Sequence, residues 1–221
     1  MWGVGRSESQ ETCPDAGIPT GLRGRTRVTA FYCSELILGG ARSGKSQRAL
    51  SLGRQWRGAT AFVATAQGLD GDMRARIARH RAERPRAWTT VEEAFDVVAA
   101  CRRLAAHHDL AIVDCLTLWV SNRLLRGDGD EAIVAGGEAL AKFMAERLLT
   151  LIIVSNEVGE GVHPPTDVGL RFRDLLGSIN QKVAAAADRV TLMVAGLPLT
   201  IKDAPASRDE TIARGRPPEA P

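Results

Sequence analysis

Two stretches of this chain carry residue types at spacings that suit phosphate chemistry. The first is Gly39-Gly40-Ala41-Arg42-Ser43-Gly44-Lys45-Ser46, which follows G-x-x-x-x-G-K-[ST]. Glycines let the backbone turn tightly, so that successive N–H groups point inward at phosphate oxygens. A helix starting at the loop adds the partial positive charge of its N-terminus. In such a loop Lys45 acts on the outer phosphates of a nucleoside triphosphate, and Ser46 holds Mg²⁺. A chance glycine-rich turn lacks the apolar strand pattern before (34–38) and the helical pattern after (44–56). Asp114 closes the apolar run LAIVD at 110–114. Beside a phosphate loop, a carboxylate so placed is a second magnesium element or polarises a nucleophile. Many strands end in Asp, however, so this reading depends on the loop. Thr117, Ser121 and Asn122 read equally well as helix-capping and surface residues.

The second stretch, residues 70–86, reads DGDMRARIARHRAERPR. Arg74, Arg76, Arg79, Arg81, Arg84 and Arg86 surround His80. On a helix, Met73, Ile77, His80 and Arg84 share one face, and Pro85 limits the helix near Arg84. Three readings stay open for it. It is a solvated basic face, as charge runs usually are. It is a nucleic-acid patch, although no aromatics are interleaved. Or His80 is a nucleophile toward phosphorus, with the arginines neutralising phosphate charge. His107 and His108 read as surface residues at a helix end. His163, ahead of Pro164-Pro165, reads as a loop residue within reach of a substrate.

The elements that must position these groups follow from the apolar pattern. Continuous apolar runs at 34–38, 60–65, 110–114, 150–155 and 189–195 suit strands covered on both faces, with a last strand at 199–202. Helices are expected over 44–56, 70–84, 91–107, 131–149 and 167–188. This alternation predicts an α/β fold of the P-loop NTPase type, with a mostly parallel central sheet flanked by helices. The expected organisation is one domain over 34–202, with disordered extensions at 1–33 and 203–221. Of 221 residues, 44% are hydrophobic and 25% charged, the balance of a globular protein. The formal net charge of +3 demands no nucleic-acid partner. No run is long enough to span a bilayer, and no secretory signal is evident. Cys13, Cys33, Cys101 and Cys115 have neither zinc-site nor disulfide-framework spacing, so reduced thiols in a cytoplasmic protein are expected.

Four segments taken together resemble a known family. GGARSGKS at 39–46, FVATAQGLDGDMRARIARHRAERPRAWTTVEE at 62–93, DCLTLWVSNRLL at 114–125 and a long run from 154 to 202 recur in order. The last contains NEVG-x-G-x-x-P followed by R-x-x-x-x-x-x-N-Q. The chain resembles the bifunctional adenosylcobinamide kinase/adenosylcobinamide-phosphate guanylyltransferases over about residues 35–202. That resemblance implies phosphorylation of adenosylcobinamide by ATP or GTP, followed by GMP transfer from GTP to give adenosylcobinamide-GDP. It implies a GMP-histidine intermediate at His80, the second position of a pair that is often His-His in relatives and is Arg79-His80 here. It implies nucleotide contacts at the loop 39–46, at Ala64, Thr65 and Ala66, at Arg81, Ala82, Glu83 and Arg84, and at Glu92 and Asp114, with Mg²⁺ at Ser46 and Asp114. Asp114 is often Glu in relatives, and the N-terminal extension departs from the family pattern. A homo-oligomer, often a trimer, is also implied. The alternatives are a P-loop small-molecule kinase without guanylyl transfer, a nucleotide-binding protein without turnover, and a nucleic-acid-binding protein.

Overall fold

The computed structural model describes residues 34–203 apart from Leu69 and Val162. The expected extensions at 1–33 and 203–221 lie outside the described residues, save for Asp203, which ends the last strand. Thirteen elements follow one another: β1 (Ser34–Gly39), α1 (Lys45–Gln55), β2 (Thr60–Ala64), α2 (Gly71–Ala82), β3 (Thr89–Glu92), α3 (Val97–Leu104), β4 (Leu110–Asp114), α4 (Leu116–Arg126), α5 (Asp130–Ala145), β5 (Thr150–Val154), α6 (Asp167–Ala186), β6 (Arg189–Val194) and β7 (Leu197–Asp203). The sheet order is β3-β2-β4-β5-β1-β6-β7. All pairs are parallel except β6 with β7. This is the α/β architecture expected from the alternation of apolar runs and helical patterns.

The strands are apolar throughout because both sheet faces are covered. Successive side chains point to opposite faces. Leu36, Leu38, Ala61, Val63, Ala111, Val113, Leu151 and Ile153 therefore join the larger core with α3, α4, α5 and α6. Ile37, Phe62, Leu110, Ile112, Ile152 and Val154 face the other way and meet Ala49 and Leu50 of α1. That second face is covered lightly, by α1, Trp88 and the segment that includes α2.

Parallel pairing also ranks the strand ends. Ile37 pairs with Val154, Val154 with Asp114, Asp114 with Ala64, and Ala64 with Glu92. One row across the sheet thus brings the end of the phosphate-loop strand, Asp114, Ala64 and Glu92 to the same edge. Ligands of open α/β sheets bind at this carboxyl-terminal edge.

Three local expectations need correction. The helix expected over 91–107 begins only at Val97, because Val91 and Glu92 belong to β3. The Glu93 carboxylate then accepts from the N–H groups of Phe95 and Asp96 and turns the chain. Asp96 caps α3 by accepting from the N–H of Ala99. The segment 116–126 is a full helix with Leu116, Trp119, Val120 and Asn122 buried, stopped by Gly127 at φ 93°. Asn122 is therefore interior and not a surface residue.

The start of the phosphate-loop strand is fastened far along the chain. Asp188 accepts from the Ser34 N–H at 2.8 Å, from the Ser34 hydroxyl at 2.9 Å and from Arg147 at 2.5 Å. Burial pushes the Asp188 carboxyl up, but the Ser34 and Arg147 hydrogen bonds outweigh it and hold the group below its usual value. Its stabilising contribution is therefore present above the unfolded carboxylate value of about 4 and is lost as pH falls through the lower folded value. Asp188→Ala should lower unfolding free energy by about 2–3 kcal/mol at neutral pH. Denaturant melts across pH 7 to 3 should show the gap between wild type and variant closing on the acid side.

Candidate active site

The loop 39–46 sits between β1 and α1, and local geometry explains its glycines. Gly39 has φ 148°, and a Cβ there would meet the Met193 carbonyl oxygen at 2.5 Å and Ser43 Oγ at 2.6 Å. Gly44 is the N-cap of α1 at φ 97°, with no side chain capping the helix. The first amides of α1 thus keep their free donors for a ligand. The turn between β6 and β7 braces the loop from behind, since the Gly196 N–H donates to the Ser43 carbonyl at 3.1 Å. Gly40, Ala41 and Arg42 are exposed, whereas Ser43 and Lys45 are buried. The Lys45 ammonium is folded back onto the Gly40 carbonyl at 2.5 Å, with Ser43 Oγ at 3.5 Å. Burial holds its pKa below the usual lysine value, the state of an ammonium short of anions.

Asp114 closes β4 two strands from the loop, yet the loop reaches it. Burial raises the Asp114 carboxyl above its usual value, opposed by a hydrogen bond from Ser46 and by the charges of His80, Arg84 and Lys45. A single carboxylate therefore sees the phosphate loop from one side and the arginine-rich helix from the other. The Cys115 thiol beside it is pushed up to about 11 by burial, and Cys101 up to about 12. Neither thiol is a nucleophile near neutral pH.

Helix α2 begins at Asp70, whose carboxylate accepts from the Met73 N–H at 2.6 Å. None of its residues is fully buried, but Met73, Ile77 and His80 are half-buried, as is Arg84 just beyond it. This is the face expected from helical spacing. Arg54 at the end of α1 ties the two helices by donating to the Glu83 carbonyl at 2.7 Å. The His80 ring approaches Glu83 through Nδ1 at 3.7 Å. Arg84 lies 3.8 Å from the centre of the Phe62 ring, and its buried Nε has no hydrogen-bond partner. Burial lowers its pKa. A half-buried guanidinium with an unpartnered Nε is suited to an oxyanion.

Other expected residues divide. Glu92 is exposed and pairs with Arg81 at 3.4 Å. Ala82 and Glu83 are exposed at the end of α2, Ala64 is buried at the end of β2, and Ala66 is half-buried. Thr65 is fully buried and turned inward: its hydroxyl donates to the Cys115 carbonyl at 2.8 Å and accepts from the Cys115 N–H at 2.7 Å. Its own N–H goes to the Asp114 carbonyl. Its two protons thus brace the backbone of Asp114 and Cys115. His108 bridges Thr89 at 2.9 Å and the Leu104 carbonyl at 3.3 Å, a tie between α3 and β3. His163 stands 3.0 Å from Arg173 in the loop before α6.

Sequence reasoning missed three bracing residues. Asn122 donates to the carbonyls of Thr65 and Ala94. Asn180 accepts from the Ser155 hydroxyl at 2.7 Å and donates to the Asn156 carbonyl at 3.0 Å. Thr117 accepts from the Asn156 N–H at 2.9 Å. A signal existed for Asn180: it follows Ile179 within the buried stripe Leu176, Ile179 and Val183 of α6, where an amide needs a specific partner.

Residues for a metal are sparse. Among the described residues, no group of three or more His, Cys, Asp or Glu side chains could hold an ion. Ser46 and Asp114 do fit one demand, since they are hydrogen-bonded oxygen donors at the same edge of the sheet. Mg²⁺ takes few protein ligands and fills its octahedron with phosphate oxygens and water.

Comparison with known proteins identifies the family. The family described as Cobinamide kinase / cobinamide phosphate guanyltransferase matches residues 35–201. The Bifunctional adenosylcobalamin biosynthesis protein CobP of Pseudomonas aeruginosa is 44% identical over 171 residues, covering 77% of this chain and 98% of that protein. The CobU proteins of Escherichia coli K12 and Salmonella typhimurium LT2, also described as bifunctional adenosylcobalamin biosynthesis proteins, are each 35% identical over 179 residues. Each covers 76% of this chain and 98% of its own length. Among solved structures, an ATPase of a bacterial type III secretion system superposes with TM-score 0.47 at 16% identity, over 76% of this chain and 56% of that one. No helix among the described residues is long and apolar enough to cross a membrane. With a family match over residues 35–201 and 44% identity to CobP, the chain belongs to the cobinamide kinase/cobinamide phosphate guanyltransferase family of cobalamin-biosynthesis enzymes.

Proposed function

We propose that this chain phosphorylates the hydroxyl of adenosylcobinamide with ATP or GTP, and then transfers GMP from GTP onto that phosphate through a covalent intermediate on His80. The observation that carries the reading is the shared carboxylate: Asp114 interacts with Ser46 and Lys45 of the phosphate loop and with His80 and Arg84 of the facing segment.

In the first reaction the hydroxyl oxygen attacks the γ-phosphorus. The bond from that phosphorus to the β–γ bridging oxygen breaks, the nucleoside diphosphate leaves, and the hydroxyl proton is released. The loop amides and Lys45 hold the triphosphate in line, and positioning supplies most of the acceleration. In the second reaction His80 Nε2 attacks the α-phosphorus of GTP and pyrophosphate departs. A phosphate oxygen of adenosylcobinamide phosphate then attacks the same phosphorus, the P–N bond breaks, and the imidazole is restored. Two displacements replace one difficult transfer. Arg84, with no partner for its Nε, is placed to take up phosphate charge as α-phosphorus chemistry proceeds. Mg²⁺, held by Ser46 and Asp114, would neutralise charge on the departing phosphates.

A homo-oligomer, a trimer by the resemblance, belongs to the same proposal. β7 is an edge strand whose outward residues Leu197, Leu199 and Ile201 are 72%, 58% and 59% exposed, with Val194 of β6 at 54% beside them. An apolar row on an unpaired strand edge suits a second copy of the chain.

Two measurements test these statements. Incubation with α-³²P-GTP should leave acid-labile label on the wild type and none on His80→Ala, whereas γ-labelled GTP should leave none on either. An unlabelled wild type that still phosphorylates cobinamide would show a kinase alone. Lys45→Ala should reduce both reactions by about 100-fold or more. For the assembly, Leu199→Glu combined with Ile201→Lys should shift the particle to monomer mass in light scattering while keeping the melting transition; an unchanged mass would rule out this edge.

A further inference from the structure

The NEVG segment after β5 belongs to no step described so far. Resting on the kinase reading above, we propose that the side-chain amide of Asn156 donates to the terminal phosphate of the bound nucleoside triphosphate and steadies the phosphoryl group during its transfer.

Placement is the first reason. β5 lies between β1, which carries the phosphate loop, and β4, which ends in Asp114. In register, Val154 is flanked by Ile37 on one side and Asp114 on the other. The chain leaving β5 therefore emerges between Lys45 and Ser46 of the loop and the Asp114 carboxylate. The lysine of a phosphate loop acts on the β- and γ-phosphates, so the terminal phosphate must lie over this gap.

The second reason is the way the segment is held. The Ser155 N–H donates to the Ile37 carbonyl and the Glu157 N–H to the Gly39 carbonyl, at 3.0 and 3.1 Å. Between them, the Asn156 N–H donates to Thr117 Oγ1 at 2.9 Å, and the Asn156 carbonyl accepts from Asn180 at 3.0 Å. Asn180 is itself 5% exposed. Three successive residues are thus pinned to β1, α4 and α6. Among the described residues, the hydrogen bonds to Asn156 go to its backbone, and its half-buried side chain is left for a ligand.

The third reason is chemical. The phosphoryl group in flight spreads charge over three equatorial oxygens, and a fixed neutral donor stabilises that charge without reorganising. An amide adds no charge to a site already carrying the cations Lys45 and Arg84 near one carboxylate. Asn180 and Thr117 then act as positioning residues, through the Asn156 backbone.

The variant Asn156→Ala keeps both backbone bonds, so its melting temperature should stay within about a degree of wild type. Its kcat for transfer of ³²P from γ-labelled ATP to cobinamide should fall about 100-fold, with KM for the nucleotide changed less than about threefold. Labelling of His80 by α-³²P-GTP, which turns on a different phosphorus, should change less than about threefold. Asn180→Asp keeps the acceptor for Ser155 but loses the donor to Asn156, and should reproduce the kcat loss in weaker form. A kinase kcat within threefold of wild type in Asn156→Ala overturns the proposal. So does an equal loss in both reactions with a lowered melting temperature, which marks a structural residue. If the wild type phosphorylates no corrinoid, the kinase reading has failed. Release of γ-phosphate to water then decides Asn156 by the same 100-fold criterion.

Discussion

A half-buried carboxylate at the end of β4 organises this edge of the sheet. Burial alone penalises the charge on Asp114, and its opposing partners come from two unrelated parts of the chain, Ser46 and Lys45 at the phosphate loop and His80 and Arg84 at the basic segment. Removing the carboxylate would leave the buried Lys45 and the half-buried Arg84 as cations whose pKa values burial already lowers. The cations are thus held in an anion-poor pocket edge, and a polyphosphate supplies what they lack. Electrostatic interactions in such a partly desolvated place are stronger than at the surface.

The carboxylate is itself held from below. Thr65 grips both backbone groups of Cys115, Asn122 grips the Thr65 carbonyl, and Asn180 grips the segment next to it on β5. These polar groups are buried on the side where α3, α4, α5 and α6 form the larger core. Fully satisfied polar networks of this kind specify one arrangement, because any shift leaves a buried donor or acceptor unpaired. The site floor is therefore as rigid as the core below it.

How much of this was legible depended on how local the signal was. The phosphate loop was legible because its glycines, lysine and serine are consecutive and because an apolar strand and a helix flank them. The half-buried face of α2 was legible because helical spacing alone puts Met73, Ile77, His80 and Arg84 together. β3 was not: TTVE has no fully buried residue and reads as part of a following helix until Glu93 and Asp96 are seen turning and capping the chain. Asn122 read as a surface residue because its partner carbonyls, Thr65 and Ala94, lie 57 and 28 residues away and only the fold brings them near. The tie between the Thr65 hydroxyl and the backbone of Cys115, 50 residues on, was likewise invisible in the sequence.

The unequal packing of the two sheet faces bears on how one site can serve two phosphorus atoms. Transfer of a γ-phosphoryl and of a GMP group needs attack at different positions along the triphosphate, while the loop that binds the phosphates cannot move far without breaking its backbone contacts to β6–β7 and β5. Adjustment must therefore come from the attacking side. Helix α2 has no fully buried residue, a capped N-terminus and a tie to α1 through Arg54 at its other end. Segments with few buried contacts open and shift at the smallest cost in free energy. On the proposed GMP-histidine route, a nucleophile carried on such a helix would advance on the α-phosphorus when GTP is bound and withdraw while the γ-phosphoryl is transferred. The floor formed by Asp114, the loop and the chain leaving β5 stays in place for both reactions.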